Sequence, residues 1–292
     1  MRLGVHVPIA GGLDHAVARA YQLGCTTMQI FSRSPRGGPA PHHSAEELDR
    51  FDRARRAAGI DPLTVHSPYI INLASPEPAM WRQSLRLYQE EYERATRLKA
   101  QYLVTHVGSH RGRGEAEGIA RVSEALAHTL EGLASAVTIL LENTAGAGQG
   151  LGDRFEQLAA IRDGLAAKAR VGICLDTAHL FAAGHPIHTP DGLTQVLDAF
   201  DRTVGLEHLK LIHLNDSKAP FASRVDRHWH IGQGHIGLAA FGRLVNDRRL
   251  RVVPFILETP KETDRADRRN LSVVRKLIRL PVRGRRLNPA AT

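Results

Sequence analysis

"YLVTHVGSHRGRGEAEGIARVSEALAHTLEGLASAVTILLE", residues 102–142, reads as a strand, a helix and the next strand. Its ends, "YLVTH" (102–106) and "TILLE" (138–142), are short apolar runs that each close on a residue able to ionise. Between them, "GIARVSEALAHTLEGLA" (118–134) repeats apolar residues at i, i+3 and i+4, with charged ones on the other face. The same alternation extends in both directions. Further strands are expected at "LGVHV" (3–7), "TMQIF" (27–31), "LTVH" (63–66), "GICLD" (172–176), "LKLIHL" (209–214) and "PFILE" (254–258). Another amphipathic helix is expected at "AMWRQSLRLYQEEYERATRLK" (79–99). Strand–helix units at a spacing of roughly 35 residues predict an α/β fold, the (β/α)8 TIM barrel. A doubly wound open sheet is the alternative, but no Gly-rich phosphate fingerprint follows the first strand.

The bulk numbers agree. A chain of 292 residues, 42% hydrophobic and 24% charged, can bury one sizeable core. No Pro/Gly/Ser linker divides it, so residues 1–280 are expected to form one domain. "SPRGGPAPHH" (34–43) is a loop after the second strand, and residues 281–292 are expected to be a basic, disordered tail. Two cysteines, Cys25 and Cys174, make no disulfide framework and fit a reducing cytoplasm. No leader and no membrane-spanning apolar run is expected, nor a membrane partner. The net charge is +9, but residues from Lys261 onward carry ten Lys/Arg against three Asp/Glu, which is +7 of it. The barrel itself is nearly neutral, so charge alone does not decide for nucleic acid.

The strand ends carry more. The third strand ends in His66, the fourth in His106 and the fifth in Glu142. The sixth ends in Asp176, with His179 three residues on; the seventh contains His213, followed by Asp226 and His228; the eighth ends in Glu258. C-terminal strand ends of such a barrel converge on one face. Four carboxylates crowded there would repel one another, and divalent metal relieves this most simply. Histidine with carboxylate suits zinc, with manganese and iron as rivals. At about three protein ligands per ion, nine groups with one bridging imply three ions. Three divalent ions exceed four carboxylates in charge, and the positive balance suits a phosphodiester.

The chain also resembles a known family. "GVHVPIAGGL" (4–13), "HSPYIINLASP" (66–76), "HVGSH" (106–110), "LENTAGAGQGLG" (141–152), "CLDTAHLFAAG" (174–184), "HLNDSK" (213–218), "DRHWHIGQGHIG" (226–237) and "ILETP" (256–260) are similar to motifs of the endonuclease IV family of abasic-site (AP) endonucleases, in the same order. The resemblance implies three zinc ions per chain, with manganese able to take some sites. One would be held by His66, His106 and Glu142. A second would take Glu142 as bridge, Asp176, His213 and Glu258. The third would take His179, Asp226 and His228. His230 and His235 match no ligand position.

The implied reaction hydrolyses the phosphodiester 5′ to an abasic site, leaving a 3′-hydroxyl and a 5′-deoxyribose phosphate; trimming of blocked 3′ ends is implied as well. Glu142 and Glu258 would be the catalytic carboxylates, Glu258 helping to position the nucleophile. The implied partner is double-stranded DNA, met by a monomer, with Arg36 and Tyr69 matching DNA-contacting positions. Gly37, Gly38 and Pro39 stand where the family commonly has a tryptophan after that arginine, Gln233 where it usually has glutamate, and Ala178 where it often has cysteine. Two other readings compete: a metal-dependent sugar isomerase or epimerase on the same barrel, and a non-catalytic DNA-binding barrel. The first has no use for the third ligand set, and the second none for an open metal pocket.

Overall fold

In a computed structural model, which describes residues 1–263 and 265–279, eight parallel strands close into a barrel. The strands are β1 (Leu3–His6), β2 (Thr27–Phe31), β3 (Leu63–His66), β4 (Tyr102–His106), β5 (Thr138–Glu142), β6 (Val171–Asp176), β7 (Leu209–His213) and β10 (Phe255–Leu257). Each pairs with its sequence neighbour, and β1 closes the ring on β10. The helices α1 (Leu13–Gln22), α2 (Ala45–Ala57), α3 (Pro78–Arg97), α4 (Glu115–Gly132), α5 (Phe155–Asp163), α6 (Thr177–Ala183), α7 (Pro190–Thr203), α8 (Leu238–Leu244) and α9 (Ala266–Leu277) join the strands. A two-stranded antiparallel ribbon, β8 (Asp216–Ser217) with β9 (His228–Trp229), rises from the loop after β7. The expected tail at 281–292 lies outside the described residues. No described helix is long and apolar enough to cross a membrane.

The expected strands appear within a residue or two of their predicted limits. The eighth is shorter, ending at Leu257, because the Glu258 amide donates to the side chain of Asn215 (2.7 Å) instead of continuing the ladder. What was not anticipated is the β8–β9 ribbon, whose strands are too short to show any periodicity.

Two apolar layers hold the barrel. The larger lies between strands and helices and includes Phe51, Tyr88, Phe200 and Phe241, all buried. The smaller is the barrel's own interior, formed by Val104, Leu140, Cys174, Leu211 and Ile256. These five sit two residues before His106, Glu142, Asp176, His213 and Glu258. Side chains alternate across a strand, so residues two apart face the same way. The polar ring is therefore the next layer up in the same interior, at the C-terminal mouth. The apolar layer seals it from below.

Candidate metal centre

Glu142 is the hub. It is fully buried at the end of β5. Its Oε2 lies 3.1 Å from His66 Nε2 and 3.0 Å from His106 Nε2. Its Oε1 lies 2.9 Å from His213 Nδ1 and 3.5 Å from His179 Nδ1. Glu258 Oε2 approaches the same His213 nitrogen at 3.2 Å, and Asp176 Oδ2 stands 4.0 Å from it. Three groups could each hold a metal ion: His66, His106 and Glu142; Glu142, Asp176, His213 and Glu258; and Asp176, His179 and His228. Asp226 closes the third group from outside, its Oδ2 3.1 Å from His179 Nε2 and its Oδ1 3.3 Å from His228 Nε2. All nine candidate side chains thus meet in one cluster. Asp176 reaches into the third group as well as the second, since its Oδ2 lies 3.5 Å from His228 Nε2.

Local structure explains how His179 and His228 reach the cluster. Asp176 caps α6 by accepting from the His179 amide (2.8 Å), which sets His179 in the first turn beside the strand ends. His228 comes from β9, where it pairs with Ser217 across the ribbon. Asp226 precedes the strand and stays half-exposed, while His179 is buried.

The histidines are held with chosen nitrogens forward. The Nδ1 of His66 meets the Ser67 carbonyl at 2.7 Å, and the Nδ1 of His179 meets the Asn143 carbonyl at 2.9 Å. Both must donate there, which leaves Nε2 as the inward atom in the neutral ring. His213 is reversed, with Nε2 on the amide oxygen of Gln29 (2.8 Å) and Nδ1 inward. The buried Nε2 of His228 has no hydrogen-bond partner. An inward lone pair beside a carboxylate oxygen is repulsive unless a proton or a cation lies between them. Tetrahedral bonds of about 2.0–2.1 Å would place donor atoms about 3.3 Å apart, close to the separations found here. The donors present therefore fit divalent metal.

The electrostatics point the same way. Burial would raise the Glu142 carboxyl, but His106, His213 and His179 outweigh it and hold it well below the usual range. Burial likewise opposes ionisation of Glu258, and His213, His6 and His66 overcome it. His179 and His213, pulled down by burial, are carried well above the ordinary value by the facing acids; for His213 the buried Cys174 adds to Glu258 and Glu142. Asp226, half-exposed, is partly desolvated by the cluster, which would raise its carboxyl, but His179 and His228 push it down to about 2. Without metal, these imidazoles take protons where a cation would otherwise stand.

Some of the cluster was not read from the sequence. Gln29 accepts from His213 and donates to Glu258 Oε1 (2.6 Å), and it meets His6 Nδ1 at 3.0 Å. Asn215 donates to Asp176 Oδ2 (2.6 Å). A lone amide inside the apolar "TMQIF" was the available signal for Gln29; His6 ends β1 in the structure, whereas the expected strand runs on to Val7. His230 and His235 are outside the cluster, as expected. His230 is buried between Glu262 (2.9 Å) and Asn270 (3.0 Å), and His235 is exposed.

The mouth is built from loops. Tyr69 is exposed, with its ring edge-on to Phe31 and His106 at 5.5 and 5.7 Å. Arg36 is exposed on the loop after β2, and a β-carbon at Gly37 would sit 3.3 Å from Ile70 Cδ1, so the two loops touch. Beside the cluster opens a cavity of about 660 Å³, lined among others by Tyr69, Asn72, His106, Arg111, His179 and Asp226.

Comparison with known proteins adds family evidence. The family described as "Xylose isomerase-like TIM barrel" matches residues 17–277. "Probable endonuclease 4" of Chloroflexus aggregans is 46% identical over 281 residues, 96% of this chain and 98% of that protein. "Probable endonuclease 4" of Geobacter sulfurreducens is 43% identical over 98% of both chains. Among solved structures, endonuclease IV from Thermus thermophilus superposes with a TM-score of 0.85 at 40% identity, covering 95% of this chain and 98% of that one. A D-tagatose 3-epimerase-like protein has a TM-score of 0.72 at 18% identity, with 95% of this chain and 97% of that one covered, a likeness of fold alone.

Proposed function

The chain belongs to the endonuclease IV family, and from that premise we propose that it is a zinc-dependent DNA repair nuclease that cuts the phosphodiester 5′ to an abasic site, leaving a 3′-hydroxyl and a 5′-deoxyribose phosphate. Trimming of blocked 3′ ends uses the same site. The observation that carries this reading is the convergence of nine buried or half-buried His, Asp and Glu side chains at the barrel mouth, with donor atoms about 3 Å apart. His66, His106 and Glu142 would hold one ion; Glu142, Asp176, His213 and Glu258 a second; His179, Asp226 and His228 a third. Asp176, 3.5 Å from His228, would also face the third ion. When bound, such ions neutralise phosphate oxygens and lower the pKa of an attacking water.

The chain's own residues prepare that chemistry. Glu142 joins two donor groups and fixes their spacing, so the scissile phosphate meets a rigid array. Glu258 lies nearer the opening, with a side chain 10% exposed against none for Glu142. Gln29 fixes one of its oxygens, and the other faces the cluster, the geometry needed to orient a nucleophile. The apolar layer beneath excludes water from below. At the rim, the exposed Tyr69 and Arg36 would meet the DNA strand, tyrosine by apolar contact and arginine by phosphate attraction. The glycines at 37 and 38 leave the aromatic contact to Tyr69.

The test is product mapping on a duplex oligonucleotide with a single abasic-site analogue, beside an intact duplex of the same sequence. One cut 5′ to the lesion, with a 3′-hydroxyl end, is expected. Equal cutting of both duplexes, or of neither, would reject the substrate assignment.

A further inference from the structure

We propose that α3 acts as a clamp that positions the 34–40 loop, so that Glu91 and Arg94 set how Arg36 meets DNA without touching the site themselves. The inference rests on the DNA-cutting reading above. Both ends of the loop are fastened to this one helix. At the exit from β2, the buried Glu91 accepts from Ser32 Oγ (2.6 Å) and from Arg33 Nε (2.5 Å), and Arg33 also donates to Glu90 (2.6 Å). One turn along, Arg94 donates to Ser32 Oγ (2.9 Å), to the Ser32 carbonyl (2.5 Å) and to the Pro41 carbonyl (3.0 Å). A single guanidinium thus grips the start and the end of the excursion. Arg97 adds a bond to the His43 carbonyl at 2.8 Å. Positions 91, 94 and 97 recur at the three-residue spacing that keeps them on one helix face.

Between the anchors the span touches Ile70 of the neighbouring loop at Gly37 but makes no hydrogen bond outside itself among the described residues. Among the described residues, the hydrogen bonds of 34–40 are internal, from the Gly37 amide to the Ser34 carbonyl and from the Arg36 amide to Ser34 Oγ. Gly37 and Gly38 adopt φ of +95° and +98°, which other residues rarely take. The span therefore behaves as a hinged arch whose footing decides where its tip goes. The clamp is also expensive for a merely structural device. Arg33 and Glu91 are both buried, and a buried ion pair is a weak source of stability next to apolar packing. The helix already packs through Trp81, Tyr88, Tyr92 and Ala95. The bonds of Glu91 and Arg94 go to the loop and its two footings. Phe31, the residue before Ser32, touches the rings of His66 and Tyr69, so the footing adjoins the metal cluster.

The test uses the metal-loaded full chain. Arg94→Met keeps the aliphatic stem and removes all three bonds; Arg97→Ala, exposed, removes only the last. Kinetics on the abasic duplex, the rate of tryptic cutting at Arg36–Gly37 in the native protein, metal content and thermal midpoint are all measured. For Arg94→Met, KM should rise roughly tenfold with kcat within about twofold, and tryptic cutting should quicken at least as much. Arg97→Ala should do the same to a smaller degree. In an Arg36→Ala background, Arg94→Met should raise KM no further, a readout that general loosening of the fold would not give. Wild-type KM and tryptic rate in Arg94→Met would overturn the clamp, as would fully additive effects of the two substitutions. If the wild type makes no lesion-specific cut, the substrate reading fails, and the tryptic rates alone decide the clamp.

Discussion

Asp216→Ala should destabilise the protein by about 3–4 kcal/mol and loosen the ribbon that carries His228. Asp216 is fully buried on β8. Its Oδ1 accepts from the amides of Ser217 (2.8 Å) and Ile236 (3.0 Å), and its Oδ2 from those of Gly232 (2.9 Å) and Gly234 (3.0 Å). One carboxylate thus satisfies four backbone donors of the 231–237 loop and its neighbour. Two of those bonds are fully buried and two partly so. An unsatisfied buried donor costs about 1–3 kcal/mol. Water will reach the half-buried pair, so the loss falls mainly on the other two, and 3–4 kcal/mol is the reasonable total. With a urea m-value of about 3 kcal/mol/M for a chain of this size, the midpoint should fall by about 1 M. Asp216→Asn should do nearly as badly, because its NH2 would face two amide donors. Metal affinity of the third donor group should drop as well, since Asp216 pairs with Trp229 directly beside His228. A midpoint within 0.3 M of wild type for both variants, as an order of magnitude, would refute this account.

Glu258→Gln should keep the fold and the thermal midpoint yet lower kcat on an abasic duplex by about 100-fold or more, the scale of losing one preorganised group; near-normal turnover would remove Glu258 from the reaction. Arg36→Ala should weaken DNA binding and reduce the slope of log K against log salt by about one; an unchanged slope would place Arg36 off the phosphates. Stripped of metal, the protein should lose stability as pH rises. His179 and His213 have raised values, so their contribution is whole below the ordinary 6.5 and falls away as pH climbs toward the folded values, by up to about 1.4 kcal/mol per pH unit for each. Urea midpoints at several pH values, with and without zinc, would check this; equal slopes in both would contradict it.

The legible part of this protein is the part governed by short-range periodicity. Strand limits such as Tyr102–His106 and Thr138–Glu142 follow from apolar runs closed by an ionisable residue. The alternation across each strand then carries His106, Glu142, Asp176, His213 and Glu258 to one face. Gln29 escaped because an amide in a strand gives no charge or ligand signal, although it ties His213 to Glu258. His6 ends β1 in the structure, but the apolar run continues to Val7, so its sequence places it inside the strand rather than at the end. Asp216 was hidden for another reason. The glycines of "HIGQGHIG" look like loop flexibility until their acceptor, sixteen residues upstream of Gly232, is seen. A β-carbon on Gly234 would come within 2.3 Å of the Ser217 carbonyl, so that glycine is required by close approach. The hold of α3 on the 34–40 loop joins residues about fifty to sixty apart, which no local pattern encodes.

Nine side chains are proposed here to form a metal centre that cuts DNA at abasic sites. The most direct measurement counts zinc per chain on one preparation and follows cleavage of the lesion-bearing duplex as metal is withdrawn with a chelator and restored. Close to three zinc per chain, a single cut 5′ to the lesion, loss of that cut with the metal and its return on adding zinc are expected. Full activity after complete metal removal, or three zinc with no lesion-specific cut, would contradict the proposal.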